Sequence, residues 1–434
     1  MANHQLAVNP TEKMRRRIQA QHKSALLQMV TLVVMCVAIV ACERRPEPAS
    51  SAVSPPPTFA QDTSDNHELT TDVQQLTEKY LEQIESDFTD ASLALETMQK
   101  SVEDFLQNPS NNSMEAARDA WLSANIAYEL TTLHRYFASR ILDEAQGEQW
   151  FQLQYQINQW PILPGYIDYV QDYADSGIVN DIPVPLTELD LRAQNGLFEI
   201  TEATLGFHVI EFLLWGTNAD ENSPRQPTDY RLETVLSSSQ ADSGMTVDQI
   251  SNNRRRVLLE LVTNILVDDF ASLQSLWAAN TAIVRTKLQA MEGPQLLSVI
   301  MNSMTDMLSE ELLVRSLYPL LNGEYNDSIQ SPFSHTTQNA VSAQLSGFER
   351  LLLENTTDSG ATLDGLISSM SEDFADFFYQ NFDASKECLV LLYSTLESPT
   401  DSPALQQAEF DIVECINLVS NMIGHLSQIE ARTR

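Results

Sequence analysis

The chain has 434 residues, with 25 Lys and Arg against 60 Asp and Glu, which gives a formal net charge of −35. Such an acidic chain would repel the phosphates of nucleic acid, so nucleic acid is not expected as a partner and metal cations or basic ligands fit better. Glycine contributes only 13 residues, which argues against a fold rich in tight turns and favours helices.

The first segment, residues 1–41, has the pattern of a bacterial secretion signal. A basic stretch precedes an almost entirely apolar run from Ala25 to Ala41, which is short for a membrane span. The run closes on Ile39-Val40-Ala41-Cys42, which resembles a lipobox, where the Cys thiol becomes the lipid attachment point. We predict that residues 1–41 are removed and that Cys42 is lipidated. A single-pass anchor with an incidental cysteine is the alternative.

Residues 42–67 follow as a stretch rich in Pro and Ser that offers too few apolar side chains to form a core. We predict that this segment is a disordered tether. It would hold the folded part near a membrane of the bacterial envelope, outside the cytoplasm and on the periplasmic side, with the lipid as its membrane contact.

Beyond the tether, apolar residues recur at steps of three and four from Val73 to Phe105, which is the period of an amphipathic helix. Similar patterns continue to the end of the chain, and no alternating run is long enough to predict a strand. The helices predicted in this way cover residues 73–108, 113–142, 148–173, 187–215, 246–281, 287–321, 337–355, 363–396 and 403–432.

A composition break over residues 218–245, which are rich in Pro and Ser, divides the helical part of the chain. We therefore predict an N-terminal helical bundle at 68–217, a linker at 218–245 and a C-terminal helical bundle at 246–434. The predicted fold class is all-α, with two consecutive bundles.

Two cysteines, Cys388 and Cys415, lie in the last two predicted helices. If these helices form an antiparallel hairpin that turns near residues 399–403, the two positions fall at matching heights. In an oxidising compartment this placement predicts a structural disulfide. Two separately buried free thiols are the alternative.

The segment with the clearest chemical content is Gly206-Phe-His-Val-Ile-Glu-Phe-Leu-Leu-Trp-Gly216. His208 and Glu211 stand three residues apart, so they share one face of a helix, and an imidazole nitrogen with a carboxylate oxygen makes a start on a metal site. The neighbouring residues are apolar, which predicts that the pair is buried and needs a partner. The alternative is a His–Glu hydrogen bond within a packed bundle.

Gly-x-His-x-x-Glu followed by Phe-Leu-Leu-Trp-Gly resembles the signature of the imelysin-like family, bacterial envelope proteins linked to iron uptake and also classed as peptidases. Two blocks agree in order and spacing: Ala120-Trp121 with Tyr128, and Asn158-Gln-Trp-Pro161 leading to Gly165-Tyr-Ile-Asp-Tyr-Val170. Two departures stand in the first helical region, where Asn125 replaces a usual Arg and Thr132 replaces a usual Glu.

The resemblance implies two helical bundles with a site between them that binds a metal ion or an iron-linked ligand. His208 and Glu211 would be the metal ligands. Iron, copper and zinc all suit one nitrogen and one oxygen ligand. Further envelope proteins are possible partners in uptake. The residues that could surround the metal ligands and hold them in place are Asp168, Glu310, Arg315 and His335.

The family's link to peptidases leaves a metallopeptidase as an alternative function, and an interaction module with a degenerate site as another. A zinc peptidase helix needs His-Glu-x-x-His, and this spacing is absent from the sequence. Gly-x-Ser-x-Gly is absent as well. We therefore assign no catalytic residue and favour a binding protein over an enzyme.

Three consecutive arginines, Arg254, Arg255 and Arg256, open the helix predicted after the linker. We expect them to pair with acids on the acidic surface of the protein. The isolated histidines His134 and His425 are expected to be structural, and Trp160 is expected to be a core aromatic residue.

Overall fold

The computed structural model describes residues 68–217, 225–278, 282–291, 293–353, 365, 372–397 and 402–433. The predicted signal peptide, Cys42, the tether and the first residues of the linker lie outside this part of the chain. The helices are α1 (Glu68–Gln107), α2 (Asn111–Leu130), α3 (Thr132–Ile141), α4 (Glu144–Asn158), α5 (Pro164–Ile167), α6 (Glu188–Gln194), α7 (Phe207–Trp215), α8 (Ser238–Asp242), α9 (Ser251–Ala278), α10 (Ile283–Gln289), α11 (Gly293–Met307), the π-helix π1 (Leu308–Leu317), α12 (Tyr318–Leu321), α13 (Thr337–Leu353), α14 (Glu372–Glu397) and α15 (Ser402–Thr433).

The all-α fold class is confirmed for the described residues, which contain no strand and only an isolated bridge between Val170 and Tyr173. None of the described helices is long and apolar enough to cross a membrane. The apolar period of α1 follows from its buried face, where Ile84, Phe88 and Leu95 are each 1% exposed.

Helices from both predicted bundles pack against each other. Helix α1 contacts α2 and also α9, and α13 from the C-terminal part lies against α2. At that crossing a Cβ on Gly347 would stand 2.3 Å from the carbonyl oxygen of Leu130, so a larger residue would push the two helices apart. The division of the chain at residues 218–245 stays a prediction.

Several predicted helices are interrupted, among them the one predicted over 287–321, which breaks between α10 and α11. The helix predicted over 113–142 is broken at Thr131, between α2 and α3. The one predicted over 148–173 ends at Asn158, because Pro161 and Pro164 cannot continue its hydrogen-bond ladder. The one predicted over 187–215 is two short helices, α6 and α7, separated by irregular backbone.

The C-terminal hairpin carries the predicted disulfide, because Cys388 of α14 and Cys415 of α15 are bonded with their Cα atoms 5.5 Å apart. The prediction for the arginine run is only partly right: Arg255 pairs with an acid, Asp168, but Arg254 and Arg255 are buried and do not lie on the acidic surface. Arg254 donates to the backbone oxygens of Ile178 and Val179, both at 2.8 Å. These side chains hold irregular backbone in place and do not belong to a solvated surface.

Candidate functional site

The glycine of the Gly-x-His-x-x-Glu motif fixes where the motif helix lies. Gly206 has φ +95°, and a Cβ there would stand 2.6 Å from the carbonyl oxygens of Gln156 and Ile157. Only glycine accepts both the conformation and this approach. Helix α7 therefore begins directly against the end of α4, and its second residue, His208, comes to lie beside Asn158.

The two motif side chains are buried and bond each other. His208 is 1% exposed and Glu211 is fully buried. The His208 Nδ1 and Glu211 Oε2 atoms are 2.8 Å apart, and His208 Nε2 is 3.1 Å from Asn158 Oδ1. The amide nitrogen of Asn158 donates to Glu129, so its oxygen faces His208 and Nε2 must donate. One more proton lies between Nδ1 and Oε2, because without it the lone pairs of these two atoms would face and repel each other.

The second oxygen of Glu211 ties α7 to the C-terminal part of the chain. Oε1 accepts three hydrogen bonds, from Phe333 N at 3.0 Å, Ser334 N at 2.8 Å and Ser334 Oγ at 2.7 Å. Charge-assisted bonds of this kind are about twice as strong as neutral ones. Burial raises the pKa of nearby Glu397, and the charge of Glu211 raises it further.

Glu129 of α2 forms the second centre of the network, and the sequence analysis did not single it out. Its carboxylate is fully buried. Burial opposes its ionisation, but the charge of Arg135 and several hydrogen bonds outweigh burial and lower the pKa of Glu129. The donors are Asn158 Nδ2 at 2.7 Å, Gln330 Nε2 at 2.6 Å, Gln344 Nε2 at 2.9 Å, Thr132 Oγ1 at 2.9 Å and Arg135 NH2 at 3.1 Å.

Asn158 joins the two carboxylate centres. Its amide group bonds Glu129 with one atom and His208 with the other, so the network runs without a break from Glu129 through Asn158 and His208 to Glu211. The chain thus brings α2, α3, α4, α7 and two C-terminal segments together around four buried ionisable groups. We call these groups, Glu129, Arg135, His208 and Glu211, with Asn158, the central network.

The central network approaches the surface through π1. Arg135 is 4% exposed and donates through NH1 to Tyr128 Oη at 2.7 Å. Glu311 accepts from Tyr136 Oη at 3.0 Å and from Arg315 NH1 at 3.0 Å. The Arg315 side chain is 35% exposed. Exposure therefore increases from the buried pair of Glu129 and Arg135 to the pair of Glu311 and Arg315, and the two pairs interact through their charges.

Arg315 also covers an aromatic ring. Its guanidinium carbon lies 4.4 Å from the centre of the Trp160 ring, a cation–π contact. Trp160 is 5% exposed, as expected for a core aromatic residue. Its indole Nε1 and the Nε of Arg135 are buried without a hydrogen-bond partner. π-Helical segments such as π1 are frequent at functional sites.

The structure separates the other predicted site residues. Asp168 pairs with Arg255 and with Arg225, whose NH1 is 3.1 Å from Asp168 Oδ2. No side-chain N–H of Arg225 is aligned for a hydrogen bond, and its guanidinium stacks on Tyr169. Asp168 is thus part of a buried Asp–Arg cluster. Glu310 is exposed on π1, and it is Glu311 that bonds Arg315. His335 is exposed in a loop with φ +56°.

The motif pair, as it is arranged, does not fit a metal ion. Both nitrogens of His208 point at hydrogen-bond partners, and a metal needs a free lone pair. Among the described residues, no three His, Cys, Asp or Glu side chains form a group that could hold a metal. Direct coordination by His208 and Glu211 would first have to displace the proton between them.

The fold and the site define an all-α protein in which a buried Gly-x-His-x-x-Glu helix is held by residues from both parts of the chain. A family model described as Imelysin matches residues 84–411. The chain therefore belongs to the imelysin family.

One similar solved structure comes from Parabacteroides distasonis and is provisionally described as an iron-regulated protein A precursor. It shares 14% sequence identity with this chain and superposes with a TM-score of 0.60, and the match covers 89% of this chain and 98% of that one. At this identity the likeness concerns the fold. Among curated proteins no match was found.

Proposed function

We propose that this chain is a lipid-anchored protein of the bacterial envelope that binds an iron-linked ligand at the central network, as part of iron uptake. The observation that carries the proposal is the convergence on Glu129 and Glu211 of donors from four separate segments of the chain. Membership of the imelysin family supports it, and so does the description of the similar structure, which names iron regulation.

The energetics of the network favour a binding role. Burying an ionised side chain costs several kcal/mol unless it is paired and hydrogen-bonded, and an apolar core of equal volume is often at least as stable. The chain nevertheless buries four ionisable groups at the meeting point of its N-terminal and C-terminal helices. A ligand that contacts both parts could exchange its own polar atoms for some of these bonds.

The proposal is compatible with two forms of the bound species, a bare metal ion and an iron chelate. A metal ion could replace the proton between His208 and Glu211, in which case its affinity falls as the pH falls. Alternatively, iron enters inside a chelate whose outer atoms contact the protein, and the motif pair keeps its proton. The second form requires no rearrangement of the hydrogen bonds seen around His208.

The test is titration of the detergent-solubilised mature protein with Fe(II), Fe(III) citrate, Cu(II) and Zn(II), followed by calorimetry and metal analysis. We expect at least one iron species to bind. If that species is a bare metal ion, His208→Ala should weaken its binding at least about tenfold, or about 1.4 kcal/mol. The matched control is His425→Ala, which removes a buried histidine outside the network.

Two results would contradict the proposal in part or as a whole. Normal binding of a bare metal ion by the His208→Ala variant together with a much lower melting temperature would contradict the first form and make the motif pair structural. Wild-type protein that binds no iron species would favour the alternative of an interaction module.

The anchor requires a separate test, because Cys42 lies outside the described residues. We expect Cys42→Ser to release the protein from the membrane fraction or to leave its precursor uncleaved, since the thiol is the only lipid attachment atom proposed. Unchanged processing and fractionation would contradict the lipoprotein assignment.

A further inference from the structure

Two buried polar atoms in a group of side chains beside π1 lack a hydrogen-bond partner, and both are donors. The relevant side chains are Tyr128, Arg135, Tyr136, Trp160, Glu311 and Arg315. Among them, the buried atoms without a partner are Arg135 Nε and Trp160 Nε1. Both are N–H donors that cannot accept a hydrogen bond. A ligand that satisfies them must present acceptor atoms, and oxygen is the most common of these.

These groups act on one another, so they occupy one locality. The pKa of Tyr128 is raised mainly by burial, and the charges of Arg135, Glu129, Glu311 and Arg315 all act on the same hydroxyl. Arg315 is the exposed member, which makes it the first group that a ligand from solvent would meet. The two unsatisfied donors belong to residues that are more buried, at 4% and 5% exposed.

The chemistry of Arg315 narrows the class of ligand. A guanidinium matches the two oxygens of a carboxylate in a bidentate contact, and stacking on Trp160 holds its plane in a fixed orientation. Arg315 already holds one carboxylate, that of Glu311, at 3.0 Å. That contact is made by NH1 alone, so a carboxylate carried by a ligand would be met by the exposed part of the same guanidinium.

We propose that Arg315, stacked on Trp160, forms a carboxylate subsite that binds the oxygen surface of an anionic iron chelate. This inference rests on the proposed function and specifies its ligand. Iron(III) is poorly soluble as a free ion at neutral pH and travels within oxygen-donor chelates. The protein would then recognise the chelate shell, while His208 and Glu211 keep the bonds they make with each other.

The experiment compares two iron(III) chelates on the detergent-solubilised mature protein. The first is Fe(III) citrate, which carries carboxylates on its surface, and the second is an uncharged Fe(III) trihydroxamate of similar size. We expect the citrate complex to bind and Arg315→Gln to weaken it at least about tenfold. Arg315→Lys should restore part of the loss, because it returns the charge without the planar fork.

Two further variants separate recognition from folding. Trp160→Phe keeps the ring beneath Arg315 but removes Nε1–H, so the affinity should fall by about fivefold, the worth of one hydrogen bond. Arg140→Gln is the matched control. It breaks the pair of a comparably exposed arginine with Asp306 and should leave citrate binding unchanged. Urea unfolding checks that each variant is folded.

Equal binding of the uncharged chelate, or unchanged citrate binding by the Arg315→Gln variant, would overturn the subsite. If a metal ion alone then still binds in a manner that depends on His208, only this inference fails. If no iron species binds to wild-type protein, the proposed function fails with it.

Discussion

Two buried histidines of this protein lie in opposite surroundings. His208 is 1% exposed, and both of its ring nitrogens have polar partners. His425 of α15 is 2% exposed, neither of its ring nitrogens has a partner, and three phenylalanine rings surround it at 5.1 to 6.2 Å. Both stand in apolar stretches of helix. Burial of a histidine alone therefore does not mark a site.

The regions around these histidines also differ in how they are held. The central network is held by hydrogen bonds between segments far apart in sequence, such as Gln344 and Glu129. The region around His425 is a local hairpin, α14 and α15, closed by a disulfide between Cys388 and Cys415. Removing one partner should therefore lower the free energy of unfolding more in the central network than in the hairpin. The effect of pH should be simpler in the hairpin, because the ring nitrogens of His425 have no partner.

The largest effect is expected at Glu129. Replacing it by Ala leaves Arg135 buried without its charge partner and several amide donors unsatisfied, so the free energy of unfolding should fall by about 3–5 kcal/mol. Urea unfolding measures the change. Glu103→Ala, which removes an exposed glutamate of α1, should change it by less than about 0.5 kcal/mol. A loss below about 1 kcal/mol at Glu129 would mean that the network is not a strong support of the fold.

A smaller loss is expected from opening the hairpin. Changing Cys388 and Cys415 together to Ser removes a cross-link with a sequence separation of 27 residues and should cost about 2–4 kcal/mol. Thiol titration of unfolded, non-reduced protein provides the direct check. Two free thiols there would contradict the disulfide, and the binding site should in either case be unaffected.

The smallest effect concerns pH and isolates His425. Burial lowers the pKa of His425 from its usual 6.5. Below about pH 6.5 the unfolded chain therefore takes up a proton that the folded chain does not, and stability falls as the pH falls. The contribution of His425 to the free energy of unfolding changes by at most about 1.4 kcal/mol per pH unit.

His425→Leu should remove that contribution, because the unfolded variant has no proton to take up at this position. Unfolding free energies at pH 7.5 and 5.5 should then differ less in the variant than in wild-type protein. His335→Gln, at an exposed histidine, serves as the control and should keep the wild-type difference. An unchanged pH dependence in the His425→Leu variant would contradict this, because it would mean that the pKa of His425 is the same in the folded and unfolded chain.

The sequence predicts the helical fold and the motif pair because both leave local signals. The period of three to four apolar residues marks α1, α13 and α15, and an ionisable pair inside an apolar run marks His208 and Glu211. The breaks near Asn158 and Gly206 were missed, although Pro161 and the glycine itself were available as signals.

The rest of the network could not be read from local patterns. Glu129 occupies an ordinary position on an amphipathic helix, and two of its donors, Gln330 and Gln344, lie more than 200 residues further along the chain. The burial of Arg254 was equally hidden, because its acceptors are carbonyl groups of irregular backbone. Such partners are set by tertiary packing, which a charge pattern does not encode.

Gly206 and Gly347 offer a criterion for sorting relatives of this protein. Each stands where added bulk would meet backbone oxygen, at 2.6 Å from Gln156 and Ile157 and at 2.3 Å from Leu130. A relative could keep every polar residue of the network and still fail to assemble it if alanine replaced either glycine. The presence of glycine at both positions is thus a stricter criterion for a relative that can assemble the network than the presence of the histidine and the glutamate alone.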